Sequence, residues 1–237
     1  MSIANILVRL TDKIAKVFGA GEKAGRDAEW SEFWDSVQRN GTCLSWNYAF
    51  YGQSWTDITF KPKYDFTFTT GNTMTDMFRA SAITDLKGIL EKQGVTLDTS
   101  GYSGSNKVSL FYQCSKLTRV PTLDVSNAQN GVGNVFNGCK ALQYVEKMIL
   151  SENGTSFINT SFSGCDALEE IRFEGKIASD INFGDCSSLS NDSTDSIISA
   201  LSDTTTGLSC THYLTNYLAD NWEELVARKP NWRFLGA

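Results

Sequence analysis

One histidine, His212, and six cysteines, at positions 43, 114, 139, 165, 186 and 210, are the residues of this 237-residue chain best suited to chemistry. An imidazole beside a Ser or Cys could activate a nucleophile, and Cys with His could hold zinc. His212 follows Cys210 by two residues, but the chain has no C-x-x-C and no further imidazole at zinc-ligand spacing. Beside Tyr213 and Leu214, His212 reads as a partly exposed structural residue. Glu169, Glu170 and Glu174 could supply a hydrolase carboxylate pair, although a solvated charged face is the ordinary explanation. Gly131-Val132-Gly133 is too short for a phosphate loop and lacks the strand–turn–helix context. The sequons at Asn153, Asn159 and Asn191 need a eukaryotic secretory route. Residues 1–18 do not read as an export signal, because Arg9, Lys13 and Lys16 interrupt the apolar run. The expectation is no catalytic residue, no metal ligand, no cofactor and no enzyme.

Composition points the same way. The net charge of −6 leaves no broad basic surface to neutralise phosphates, so nucleic acid is not the expected partner. No stretch approaches the ~18 uncharged apolar residues of a membrane span, so membrane insertion is not expected either. With 3 Pro, 19 Gly and 14 Phe, the chain reads as globular rather than disordered or collagen-like.

Four of the cysteines belong to an internal repeat. Phe111, Cys114 and Leu117 are followed at the same spacing by Phe136, Cys139 and Leu142, by Phe162, Cys165 and Leu168, and by Phe183, Cys186 and Leu189. The pattern is F-x-x-C-x-x-L, with the Phe positions 25, 26 and 21 residues apart (111 to 136, 136 to 162, 162 to 183). A degenerate copy starts at Phe78, with Ser81 in the Cys place, and a further trace starts at Phe50. Phe and Cys at i and i+3 share the inner side of a helical turn, so the cysteines read as reduced, buried core residues. Parallel side chains on neighbouring copies suit disulfides poorly. After each Leu a short strand is expected: Val120, Leu123 and Val125; Val145 and Met148; Ile171 and Phe173. Between these, Arg119, Tyr144, Glu146, Glu170 and Arg172 should face solvent together and are the candidate binding residues. Periods of 20–30 residues with recurring Leu predict a leucine-rich-repeat solenoid over 72–190.

The flanks must position and close that solenoid. Residues 1–40 read as two helices. In the first, Ile3, Leu7, Leu10, Ile14 and Val17 form a heptad seam, before a Gly19-Ala20-Gly21 break. That helix could pack on its own domain, self-associate or dock on a partner, or lie on a membrane surface. The second carries Trp30, Phe33, Trp34 and Val37 and stops at Asn40-Gly41. Residues 41–71, dense in aromatics from Trp46 to Phe68, read as an N-terminal cap, with a sugar-stacking platform as the sharper alternative. Residues 191–237 read as a C-terminal helical cap. Asp192 or Ser193 would N-cap its first helix, a second would start near Thr215, and Trp232–Leu235 would form a closing strand. The expected fold is therefore α/β: an irregular solenoid of about 4–6 rungs with an N-terminal helical segment and a C-terminal helical cap.

The F-x-x-C-x-x-L copies resemble the BspA-like class of bacterial leucine-rich repeats, found on surface and adhesion proteins. The ending, Ser196 to Asp203 and then Asn231-Trp232, is similar to that class too. Lys16-Val17-Phe18, Ala20-Gly21, Phe33-Trp34, Tyr48-Ala49-Phe50 and Phe60 to Asp65 resemble uncharacterised leucine-rich-repeat proteins of phages and prophages of gut bacteria. The resemblance implies a virion component associated with a tail or fibre. Its partners would be other virion proteins or a host surface receptor, protein or glycan. It also favours a homotrimer assembled through residues 3–18, made in the bacterial cytoplasm and carried in the particle. An intracellular interaction module that never joins a virion is the alternative.

Overall fold

The structure, a computed structural model, describes residues 52, 76, 78–84, 97–98, 109–126, 128, 131–213 and 216–236. The expected helices of 1–40 with their Ile3–Val17 seam, and the aromatic segment 41–71 apart from Gly52, lie outside the described residues.

Each motif copy forms two consecutive tight turns. The Cys amide donates to the Phe carbonyl three residues back, and the Leu amide to the Cys carbonyl: 2.9 and 3.0 Å at Phe136–Cys139–Leu142, 3.3 and 3.0 Å at Phe162–Cys165–Leu168. That geometry carries Phe, Cys and Leu inward. Phe111, Phe136, Phe162 and Phe183 are fully buried and stand in a column begun by Phe78. Successive ring centroids lie 5.4, 5.8, 5.8 and 4.5 Å apart. Burial of an aromatic side chain stabilises by ~1.5–3 kcal/mol, so the column is a major part of one core that runs from Phe78 to Trp232.

Among the described residues there are eight strands, all paired in parallel: β1 (Leu97–Asp98), β2 (Arg119–Val120), β3 (Leu123–Asp124), β4 (Tyr144–Ile149), β5 (Glu170–Glu174), β6 (Ile181–Phe183), β7 (Leu208–His212) and β8 (Trp232–Gly236). β4 is the hub of a five-stranded sheet, with β2 and β3 along one side and β5 along the other. Val120, Val145 and Ile171 are register partners, as are Leu123, Met148 and Phe173. All but the half-buried Phe173 are fully buried, so these positions form the inner face.

The expected leucine-rich-repeat solenoid is corrected. Among the described residues the chain forms two separate, open parallel sheets, of five and three strands, with two helices, a mixed α/β arrangement. Its strands are two to six residues long, and no single sheet runs through the copies. The sequence carries the reason. The Phe spacing falls from 26 to 21 residues at the last copy, and Phe183 becomes a residue of β6 in the second sheet. After Leu189 the chain forms helix α1 (Asn191–Ala200) instead of a strand.

Helix α1 closes the first sheet. Ser193 Oγ accepts from the Ile171 amide at 3.0 Å, and Ser196 Oγ from the Phe173 amide at 2.9 Å. These hydroxyls stand where a further strand would offer carbonyls, which removes an exposed edge. The N-cap is Ser190, whose side chain accepts from the Ser193 amide, rather than the expected Asp192 or Ser193. Helix α2 (Asn216–Arg228) buries Leu218 and Leu225 against Ile198, and β8 forms at the expected closing strand. Neither helix is long and apolar enough to cross a membrane.

Candidate binding face

On β5 the alternation turns Ile171 inward and Glu170 and Arg172 outward, whereas on β4 the inward Val145 and Met148 are separated by two residues, because the register with β5 shifts between them. Parallel pairing then aligns the outward residues across strands. Arg119, Tyr144 and Glu170 are register partners on β2, β4 and β5, so three of the five candidate residues form one row. Glu146 on β4 and Arg172 on β5 lie just beyond the paired Val145 and Ile171, where the register between the two strands shifts. Both are exposed.

The charges on this face are partly spent on one another. Arg119 forms an ion pair with Glu146 across β2 and β4, and Lys147 Nζ lies 2.9 Å from Glu174 across β4 and β5. The Tyr144 hydroxyl donates to Glu169 Oε2 at 3.0 Å, which pushes the phenol pKa above its ordinary value. Exposed pairs of this kind contribute ~0–1 kcal/mol each, so they order side chains more than they hold the fold. The result is a half-buried tyrosine fixed by a carboxylate, between an arginine and a second carboxylate. Such a site can stack on an apolar or sugar ring and donate or accept hydrogen bonds at its edges.

Of the carboxylates considered for hydrolysis, Glu169 is held by Tyr144 and Glu174 by Lys147. Lys147 was missed by sequence reasoning, yet a signal existed. Arg119–Glu146 and Lys147–Glu174 are each separated by 27 residues, close to one repeat period. Opposite charges at that spacing mark neighbouring strands.

The five described cysteines are free and buried. Each repeat thiol points at the Phe carbonyl of the preceding copy: Cys114 Sγ to Phe78 O at 2.8 Å, Cys139 to Phe111 O at 3.1 Å and Cys165 to Phe136 O at 3.1 Å. Cys186 reaches towards Phe162 O at 3.8 Å. The thiol is thus a small apolar group and also a weak donor that ties copy to copy. Burial pushes the Cys114 thiol up to about 11 and the Cys165 thiol up to about 12, and it raises Cys139, Cys186 and Cys210 in the same direction.

His212 is not the partly exposed residue expected; it is 2% exposed. It aligns with Phe183 on β6 and Gly236 on β8, and its ring lies 5.8 Å from Phe183, ending the aromatic column. Among the described residues no three His, Cys, Asp or Glu side chains gather as a metal site. In Gly131-Val132-Gly133, a Cβ on Gly131 would sit 2.3 Å from the Ser156 carbonyl oxygen. That glycine lets two backbone segments approach.

Compared with protein-family models, curated proteins and solved structures, the chain matches none.

Proposed function

We propose that the chain is a non-enzymatic structural and binding component of a phage particle, associated with a tail or fibre. It would contact a host surface receptor or another virion protein through the outer face of the five-stranded sheet. The observation that carries the binding role is the aligned row Arg119–Tyr144–Glu170 with Glu146 and Arg172 beside it. Rigid elements place an aromatic and two arginines, the side chains that most often dominate interface energetics, on one surface. The virion role rests on the resemblance of the repeat copies and the N-terminal motifs to BspA-like and phage leucine-rich-repeat proteins. Residues 3–18 would add avidity by joining copies, a trimer being favoured, because linked sites gain ~10²–10⁴-fold when they engage together.

Peptide mapping of purified particles tests the virion role. Peptides of this chain at a fixed ratio to tail proteins support it. Abundance in the cell with none in the particle would favour an intracellular interaction module. Light scattering on the full chain and on a chain starting at Glu22 tests self-association, and a monomer in both rejects it.

A further inference from the structure

We propose that His212 is an acid-sensitive latch: protonating its buried imidazole releases β7 and β8 from β6, whose Phe183 is the last phenyl ring of the aromatic column. The imidazole is 2% exposed, stacks on Phe183 at 5.8 Å with an interplanar angle of 24°, and leaves Nε2 without a hydrogen-bond partner. An unpaired ring nitrogen in that place is tolerated while neutral. Once protonated, it becomes a buried cation with no counter-charge among the described residues, which is strongly unfavourable.

Among the described residues the surroundings offer no compensation. β6 contributes Ile181, Asn182 and Phe183, none of which titrates. β8 contributes one charged residue, the exposed Arg233, of the same sign as a protonated imidazole. On β7 itself the other titratable side chain is the buried Cys210. Asp180 and Asp185 flank β6 but are exposed and accept hydrogen bonds from Ser209 and the Gly164 amide. On α1, Asp195 is paired with Arg228 of α2, and Asp192 is exposed. Asp220, Glu223 and Glu224 of α2 are also exposed.

Burial alone lowers the His212 pKa from 6.5 to about 4. A histidine with a lowered folded pKa contributes stability that is complete above 6.5 and is lost as pH falls from 6.5 through about 4. The difference bounds the effect at about 300-fold in the opening equilibrium. The opening should be local, because β7 and β8 lie at the far side of the three-stranded sheet and share no strand with the five-stranded sheet.

His212 is the only histidine, so one imidazole resonance reports it in the full chain. Proton NMR between pH 7.5 and 3.5 should give a midpoint below 5. Hydrogen exchange, corrected for the intrinsic pH dependence, should show peptides over 208–213 and 232–236 losing protection more than ten-fold from pH 7 to 4.5. Peptides over 144–149 should change less. His212→Phe keeps the stacking ring and removes the titration, so it should abolish the selective loss. A midpoint at 6.5 or above, or the same selective loss in His212→Phe, overturns the proposal. Should His212→Phe not fold, the NMR midpoint and the contrast between the two peptide sets in the unaltered chain decide it.

Discussion

Replacing Gln113 with Gly should stabilise the protein, although Gln113 sits in a repeat motif. The third residue of each F-x-x-C turn adopts a left-handed backbone in four copies: Ala80 (φ 54°), Gln113 (φ 62°), Gly138 (φ 78°) and Gly164 (φ 71°). Two copies carry the residue this conformation favours and two do not. A non-glycine residue in this region costs about 1–2 kcal/mol. Gly returns part of that through the greater freedom of its unfolded chain, about 0.4–1 kcal/mol. Gln113 is exposed, and its amide bond to the Asn137 carbonyl, 2.7 Å, involves only backbone, so little else is lost. The net gain is about 0.5–1 kcal/mol, a rise in Tm of about 1–4 °C for a chain of this size. Gly138→Ala is the mirror experiment. Its Cβ would lie 3.4 Å from Gln113 Cα and Cγ, an ordinary contact, so the loss of about 1 kcal/mol comes from backbone conformation. Thermal and urea unfolding of both variants measure the effect. A lower Tm for Gln113→Gly, or no change for Gly138→Ala, would show that the left-handed backbone at this position carries no such cost.

The thiols of Cys114, Cys139, Cys165, Cys186 and Cys210 are buried with raised pKa values, so at pH 8 they should resist alkylation until the protein unfolds; intact-mass kinetics that label them in the native state would count against the assignment. Ser196→Ala strips the acceptor from the Phe173 amide and should cost about 1–3 kcal/mol in urea unfolding. Lys229 is 7% exposed and donates to the Leu201 carbonyl and to Asp203, both at 2.7 Å, so Lys229→Met should destabilise by about 1–3 kcal/mol. The Lys229 ammonium holds the Asp203 carboxyl below its usual range, and that support is present above the ordinary carboxylate pKa and lost as pH falls through the lowered value. The Tm of Lys229→Met should therefore fall less steeply below pH 4 than that of the unaltered chain.

The parts legible in the sequence were local and periodic. Phe, Cys and Leu at fixed spacing identified the inner face, because a tight turn repeated with the same register leaves those positions no other place to go. The same periodicity aligned Arg119, Tyr144 and Glu170, since parallel pairing at the repeat length puts equivalent residues side by side. The overall architecture was not legible. Leu189 fits the motif as well as Leu142 does, yet Ser190 caps a helix after it, and the Ser193 and Ser196 hydroxyls replace a strand's hydrogen bonds. Hydroxyls acting as a strand edge leave no trace in hydrophobic periodicity. His212 was misplaced for a related reason. Its burial follows from pairing with Phe183 and Gly236, which lie 29 residues before and 24 residues after it (212 − 183, 236 − 212).

On the proposed reading, the outer face of the five-stranded sheet binds the partner. Particles assembled with the unaltered chain and with a Tyr144→Ala, Arg172→Ala double variant test it most directly. Both substitutions are on the outer face, so thermal unfolding should first show the fold retained within about 1 kcal/mol. Either incorporation of the chain into particles or adsorption of those particles to host cells should fall at least ten-fold in the double variant. Unchanged incorporation together with unchanged adsorption would contradict it.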